Sequence, residues 1–328
     1  MGTNGMISTS LWYEAPGVVA LRQAELAPLG IGEARVRTLF SAISRGTERL
    51  VLEGRVPETE WQRMRAPLQE GEFPHPVKYG YAAVGVVEAG PQLWLGRRVF
   101  CLHPHQDRFN APVSMLAAVP EGVLPARATL AANMETALNA IWDGGVGPCD
   151  RVAVVGGGVL GLLVGHLAAR IAGTQVTLID TNLGRAAVAG ALGVAFAPPD
   201  KAPGECDVVF HTSATAAGLA TALGCAGDEA RVVEMSWYGD RPASIPLGGA
   251  FHSRRLQIIS SQVGQVAPSH RPRWNYGRRL SAALGLLTDT RLDALVETRI
   301  AFADAPVLLP RLLSSSALGL APVIGYPA

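Results

Sequence analysis

Val152-Ala-Val-Val-Gly-Gly-Gly-Val-Leu-Gly161, followed nineteen positions later by Asp180, is the stretch on which the reading of this chain turns. The β-branched run Val152 to Val155 predicts a buried parallel strand, and Gly156, Gly158 and Gly161 satisfy Gly-x-Gly-x-x-Gly. Apolar residues then recur at Leu160, Leu163, Val164, Leu167 and Ile171, the spacing of one helix face. A second strand, Gln175-Val-Thr-Leu-Ile179, ends directly on Asp180. Each glycine has a mechanical use. Gly156 permits the tight turn, Gly158 has no Cβ to block a pyrophosphate, and Gly161 lets the helix pack on the strand. The N–H groups at the helix start, around Val159 and Leu160, then face the phosphates. A carboxylate at Asp180 accepts hydrogen bonds from ribose hydroxyls and repels a 2′-phosphate, so the expected cofactor is NAD(H) rather than NADP(H). Arg185, on the next predicted helix, joins the expected cofactor contacts. A glycine-rich turn that binds nothing is the plain alternative.

At 328 residues the chain has room for two domains with substantial cores. A net charge of +1 supplies no long-range field for nucleic acid or an anionic membrane, so neither is an expected partner. Cys101, Cys149, Cys206 and Cys225 are scattered without a Cys-x-x-Cys pair. That usage suits a reducing compartment, and with no secretory signal visible the expectation is a soluble, cytoplasmic protein. Val152 to Ile171 is apolar, but its five glycines with His166 and Arg170 argue against a membrane span.

Residues 11–119 read as β-rich, with Glu33 to Ile43 alternating apolar and polar for part of its length. Pro57 to Pro76 reads as a long polar excursion. From about Leu130 the pattern changes to helix over Ala131 to Trp142, then strands and helices in alternation: Asp207 to Phe210, Ala216 to Leu223, Ala230 to Met235, Leu256 to Ser261. Such alternation predicts a doubly wound parallel sheet. Short β-like pieces follow near Thr298 and Pro322. The expected organisation is a first β-rich domain over 1–129, a Rossmann domain over 130–266, and a return to the first domain over 267–328. The active site is expected in the cleft between them, at the carboxyl ends of the Rossmann strands.

This order of parts resembles the medium-chain dehydrogenase/reductase superfamily, in which a GroES-like β-barrel holds substrate and a Rossmann domain holds nicotinamide cofactor. Ser41-Ala-Ile-Ser-Arg-Gly-Thr-Glu48 sits where that family has Gly-Ile-Cys-Gly-Thr-Asp, Tyr79-Gly-Tyr-Ala82 where it has Gly-His-Glu, and Leu95-Gly-Arg-Arg-Val99 where it has Gly-Asp-Arg-Val. The resemblance implies an oxidoreductase, but its zinc ligands are replaced. The first position is Ser44 or Arg45, the second Tyr81, and the third lies near Ala132. A zinc-independent member is therefore expected, with the Ser44 to Leu50 motif similar to the bacteriochlorophyllide dehydrogenase branch; the substrate is not carried over.

Hydride transfer to a carbonyl builds charge on oxygen, which needs a donor, and alcohol oxidation needs a base. Ser44, Arg45, Thr47 and Tyr81, at the former zinc positions, are the first candidates. Arg45 is alternatively the partner of Glu48. His103 and His105 are candidates for acid/base work or substrate binding because histidine titrates near neutral pH; a hydrogen-bonded structural role is the alternative, and Asp107 beside them raises the idea of a metal. By family position Thr136 contacts the nicotinamide ring, Glu135 favours the helix start, and Ser236 lies where the carboxamide binds. Trp237 and Tyr238 could roof a substrate, and the four arginines of Ser269 to Arg279 read as a solvated helix start. The expected activity is hydride transfer between NAD(H) and a carbonyl/alcohol or an activated double bond of a small molecule, in a homodimer paired along Leu256 to Ser261. The rival is a dinucleotide-binding redox sensor or scaffold without turnover.

Overall fold

Arg151–Val155 is the first strand of a six-stranded sheet, and its residues from Val152 onward are buried. Branched side chains suit it because both faces of a parallel sheet are covered. In the computed structural model, which describes residues 5–314, 317, 319–320 and 322–327, the sheet runs Ala195–Ala197, Gln175–Ile179, Arg151–Val155, Cys206–His211, Ala226–Glu234, Gln257–Ser260. Every neighbouring pair is parallel. In chain order this is 3-2-1-4-5-6, the doubly wound arrangement whose order reverses between the first and fourth strands. The outer limits of the expected first domain, residues 1–4 and 328, lie outside the described residues.

Helices Val159–Ala168, Arg185–Ala191 and Ala216–Cys225 connect these strands. Thr215 caps the last of them, its Oγ1 accepting the Gly218 N–H at 3.0 Å. The helix expected over Leu183 to Leu192 starts later, at Arg185, because Asn182 closes a turn by accepting the Gly184 N–H at 3.0 Å. Ala195–Ala197 was not expected; three residues carry too little periodicity to announce a strand. Val155, Ile179, Val209, Leu219 and Val232 belong to the core on one side of this sheet.

The sheet belongs to a compact unit of Asn133–Ala283 and Asp289–Leu295. This unit runs past the expected limit at 266, for a physical reason. Arg279, 2% exposed, donates to Glu135 Oε1 at 2.9 Å and to Asn139 Oδ1 at 2.6 Å on helix Ala131–Gly144. It also donates to the Val263 and Gln265 carbonyls. Arg279 thus anchors helix Tyr276–Leu286 to that unit, while Arg271, Arg273, Tyr276, Gly277 and Arg278 around the helix start are exposed, as a solvated helix start predicts; Glu135 is an ion-pair partner rather than a helix-dipole group.

The other unit comprises Met1–Ala132, Leu284–Thr288 and Val296–Ala328. Its larger sheet runs Arg299–Ala301, Val323–Gly325, Glu33–Ala42, Ala83–Ala89, Arg98–Cys101, Leu116–Ala118, with Arg108–Pro112 also on Glu33–Ala42. Ala34, Val36 and Thr38 are buried on alternate positions of the central strand, as its sequence pattern predicted. The tail re-enters here, Ile324 lying opposite Ser41 in an antiparallel pair. A four-stranded sheet, ordered Val18–Glu25, Ile7–Ala15, Val77–Lys78, Glu70–Gly71, completes the β-structure.

Two helices of this unit run against the β-rich reading. Arg45–Leu52 buries Glu48, Leu50, Val51 and Leu52, and eight residues after a strand were too few to show a helical period. Ala305–Leu312 contains Pro310, which reads as a breaker. Among the described residues no helix is long and apolar enough to cross a membrane, and all four cysteines are free.

Candidate functional site

Gly156 adopts φ +113°, and a Cβ there would lie 2.7 Å from Thr212 Oγ1 and 2.8 Å from the Ser213 nitrogen. Only glycine fits this turn. A Cβ on Gly161 would stand 1.9 Å from the Gly156 carbonyl oxygen, so the helix can seat on the turn only without one. Gly158, exposed at the N-cap of helix Val159–Ala168, has open space where a Cβ would point. Val159 and Leu160 open that helix, half-buried. The turn therefore presents an uncovered backbone at a helix start, a cradle that fits a pyrophosphate.

Asp180 lies beside this turn. Its Oδ2 accepts the Gly157 N–H at 2.5 Å and its Oδ1 accepts the Asn182 N–H at 2.7 Å. The carboxylate is thus fixed in orientation at the end of the second strand. Arg185 packs close by: a Cβ on Gly157 would meet its Cγ at 3.0 Å and Asp180 Oδ2 at 3.1 Å. Burial lowers the Arg185 pKa, and the Asp180 charge opposes that. The structure brings together the glycines, Asp180 and Arg185.

Thr136 is half-buried on helix Ala131–Gly144. Ser236 follows the fifth strand, where its hydroxyl accepts the Ala214 N–H at 3.0 Å and its own N–H donates to Glu234 Oε1 at 2.7 Å. Tyr238 donates its hydroxyl to Glu234 Oε2 at 3.0 Å. Burial, then the Glu234 charge and that bond, raise its pKa and keep it protonated. Tyr238 is thus held by the end of the strand rather than free to roof a ligand. His211 and Glu234 were missed entirely, since neither belongs to a spaced motif and their contact is made across two strands.

In the other unit, Ser44, Thr47 and Tyr81 come together, the Tyr81 phenol hydrogen-bonding both hydroxyl side chains. Burial pushes that phenol up to about 12, although the two hydroxyls pull it down. It is therefore a proton donor at neutral pH. Glu48, fully buried, sits one helical turn after Ser44 and accepts the Ser44 N–H at 2.7 Å. It also accepts the Tyr13 hydroxyl at 2.6 Å and meets His105 Nε2 at 3.0 Å. His105 Nδ1 lies 2.7 Å from Ser41 Oγ, which lies 2.9 Å from the Tyr326 hydroxyl. Glu48 is thus the hub of a buried network, and both His105 nitrogens are committed to it.

Three expectations are corrected. Arg45 does not pair with Glu48; its guanidinium donates to the carbonyls of Ser314, Ala317 and Gly319. His103 does not titrate near neutrality. It is buried, stacked 3.7 Å from the Phe109 ring, and pushed down to about 3 by burial and then by the Lys78 charge. Asp107 accepts Ser8 Oγ at 2.8 Å and the Thr9 N–H at 2.9 Å, bonds that hold the first strand. Ala132 is buried, and among the described residues no group of three or more His, Cys, Asp or Glu could hold a metal ion.

No family model matches the chain. Solved structures do. L-idonate 5-dehydrogenase from Escherichia coli superposes with a TM-score of 0.80 at 13% identity, covering 98% of both chains. An alcohol dehydrogenase from Escherichia coli complexed with NADH gives 0.77 at 16%, covering 98% of this chain and 100% of that one. A zinc-binding dehydrogenase from Sinorhizobium meliloti, by its description, bound to NADP, gives 0.78 at 17%, covering 98% and 99%. At these identities the likeness is one of fold, and the fold is α/β: a GroES-like β-barrel and a Rossmann doubly wound parallel sheet.

Proposed function

We propose that this chain is a nicotinamide-dinucleotide oxidoreductase of the medium-chain type, preferring NAD(H) and working without zinc. The observation that carries the reading is Asp180, a carboxylate oriented by two backbone N–H groups beside an uncovered glycine turn. Gly156, Gly158, Gly161, Val159 and Leu160 take the pyrophosphate, Asp180 and Arg185 the adenosine ribose, Thr136 and Ser236 the nicotinamide end. When bound, the dinucleotide supplies or accepts hydride at nicotinamide C4. Tyr81, protonated and held by Ser44 and Thr47, supplies the hydrogen bond that a carbonyl oxygen needs as charge grows on it. The substrate class is a carbonyl/alcohol pair or an activated double bond. Structural neighbours described with NADH and with NADP support the cofactor class.

Fluorescence titration tests it: NADH binds the wild type more tightly than NADPH, and Asp180→Asn weakens NADH about tenfold, the loss of one or two charged hydrogen bonds. Tighter NADPH binding by the wild type overturns the Asp180 argument. Metal analysis of protein purified without added zinc is expected to find less than one zinc per chain; a full equivalent overturns that part.

A binding protein without turnover is the second reading. It is favoured by the committed side chains of Arg45, His103 and His105, which remove three of the expected reactive groups. Dinucleotide binding with no redox turnover across aldehydes, quinones and enones would select it.

A further inference from the structure

His211 and Glu234 end the fourth and fifth strands of the parallel sheet and lie directly opposite each other in its register. His211 is fully buried. Its Nδ1 meets Glu234 Oε2 at 2.7 Å and its Nε2 meets Ser213 Oγ at 2.7 Å. The same carboxylate accepts the Ser236 N–H and the Tyr238 hydroxyl. Ser236 Oγ in turn accepts the Ala214 N–H. One imidazole and one carboxylate therefore tie the loop Thr212–Thr215 to the loop Met235–Tyr238.

The order carboxylate, imidazole, hydroxyl is that of an acyl-transfer triad. The surroundings of Ser213 point elsewhere. A Cβ built on Gly218 would lie 2.1 Å from Ser213 Oγ, so the hydroxyl is turned against the helix, and it also bonds Thr215 Oγ1 at 3.0 Å. The hydroxyl fastens a loop rather than facing an incoming carbonyl.

The loop it fastens is strained and well placed. Ala214 has φ +53°, a left-handed conformation that a non-glycine residue holds only when its surroundings impose it. Thr212 donates its hydroxyl to the Gly156 carbonyl at 2.8 Å and its N–H to the Val155 carbonyl at 2.8 Å, which joins this loop to the glycine turn. In a sheet of this order a dinucleotide crosses the point where the order reverses, between the first and fourth strands. Asp180, after the second strand, marks the adenosine side. The loops after the fourth and fifth strands then underlie the other mononucleotide.

We propose that His211 and Glu234 are positioning residues for the nicotinamide half of the dinucleotide: by locking the loops Thr212–Thr215 and Met235–Tyr238 in one arrangement, they set affinity for the complete dinucleotide and leave the adenosine half unaffected. The inference rests on the dinucleotide reading above. No contact of His211 with cofactor is needed, since it acts through Ser213 and Glu234.

Calorimetric titration of wild type and Glu234→Gln with NADH and, separately, with ADP tests it. The variant keeps the side-chain shape but removes the charge that orients His211. NADH is expected to bind about tenfold more weakly, the loss of a charged hydrogen bond, while ADP affinity stays within about twofold. Tyr238→Phe, which removes one donor to the same carboxylate, is expected to show a smaller loss confined to NADH and serves if Glu234→Gln does not fold. Equal weakening of NADH and ADP makes the pair a plain structural element and overturns the proposal; unchanged NADH affinity in both variants overturns it as well. A wild type that binds neither ligand removes the dinucleotide reading itself, a result distinct from either.

Discussion

Tyr81 lies against the Ser44 and Thr47 hydroxyls, and its chemistry follows from its burial. A phenol raised to about 12 does not ionise at neutral pH, so it can give a hydrogen bond but cannot serve as a resting base. Tyr81→Phe removes the donor and little else. Turnover is expected to fall about a hundredfold, the usual cost of one oxyanion donor, with NADH affinity unchanged. Steady-state kinetics beside a NADH titration checks this, and an unaltered kcat takes the donor role from Tyr81. Residue type alone was a poor guide to the histidines and arginine nearby. His103 owes its neutrality to burial and the Lys78 charge, Arg45 its engagement to the carbonyls of Ser314, Ala317 and Gly319. Those partners lie too far away in sequence to be read from the motif.

Gln257–Ser260 ends the sheet order of the parallel sheet, with Ala226–Glu234 on one side. Ile258 and Ile259 are half-buried between exposed Gln257 and Ser260, on an edge that can pair with another strand. We propose that a second copy of this chain pairs there. Sedimentation is then expected to give twice the 34.4 kDa chain mass, and Ile259→Lys to give a single chain. A wild-type monomer at micromolar concentration rules this out. Most strands in this half of the chain were legible as short apolar runs, but Ala195–Ala197 was not, and the fifth strand starts at Ala226 rather than at Ala230. The helix Arg45–Leu52 was not legible, because its buried Glu48 breaks the apolar pattern that periodicity depends on.

Acid stability belongs to the whole molecule. His75, His103, His166 and His270 all have folded pKa values below the ordinary histidine value, burial being the main cause in each. Between a group's folded and unfolded pKa the unfolded chain binds more protons, so each group's contribution is fully present above about 6.5 and is lost as pH falls toward its folded pKa. For His103 the window reaches from 6.5 down to about 3, at a slope of about 1.4 kcal/mol per pH unit. Urea unfolding at pH 5 and pH 7 is expected to show lower stability at pH 5, and His103→Gln to flatten that difference. A pH difference identical in the variant places the acid sensitivity elsewhere.

Local order of residue types determined the Rossmann half of this protein: the strand, glycine turn, helix, strand and Asp180 are neighbours in sequence, and each constrains backbone that lies within a few residues of itself. The uncovered glycine turn was legible for the same reason. Tertiary structure alone decided which polar groups are available. Glu48 with His105, Arg279 with Glu135, and His211 with Glu234 are contacts between residues 57, 144 and 23 positions apart. Each removes a charge or a titratable ring from solvent and assigns it a fixed partner. Burial and partner, not residue identity, set whether such a group donates a proton, holds a loop or does neither.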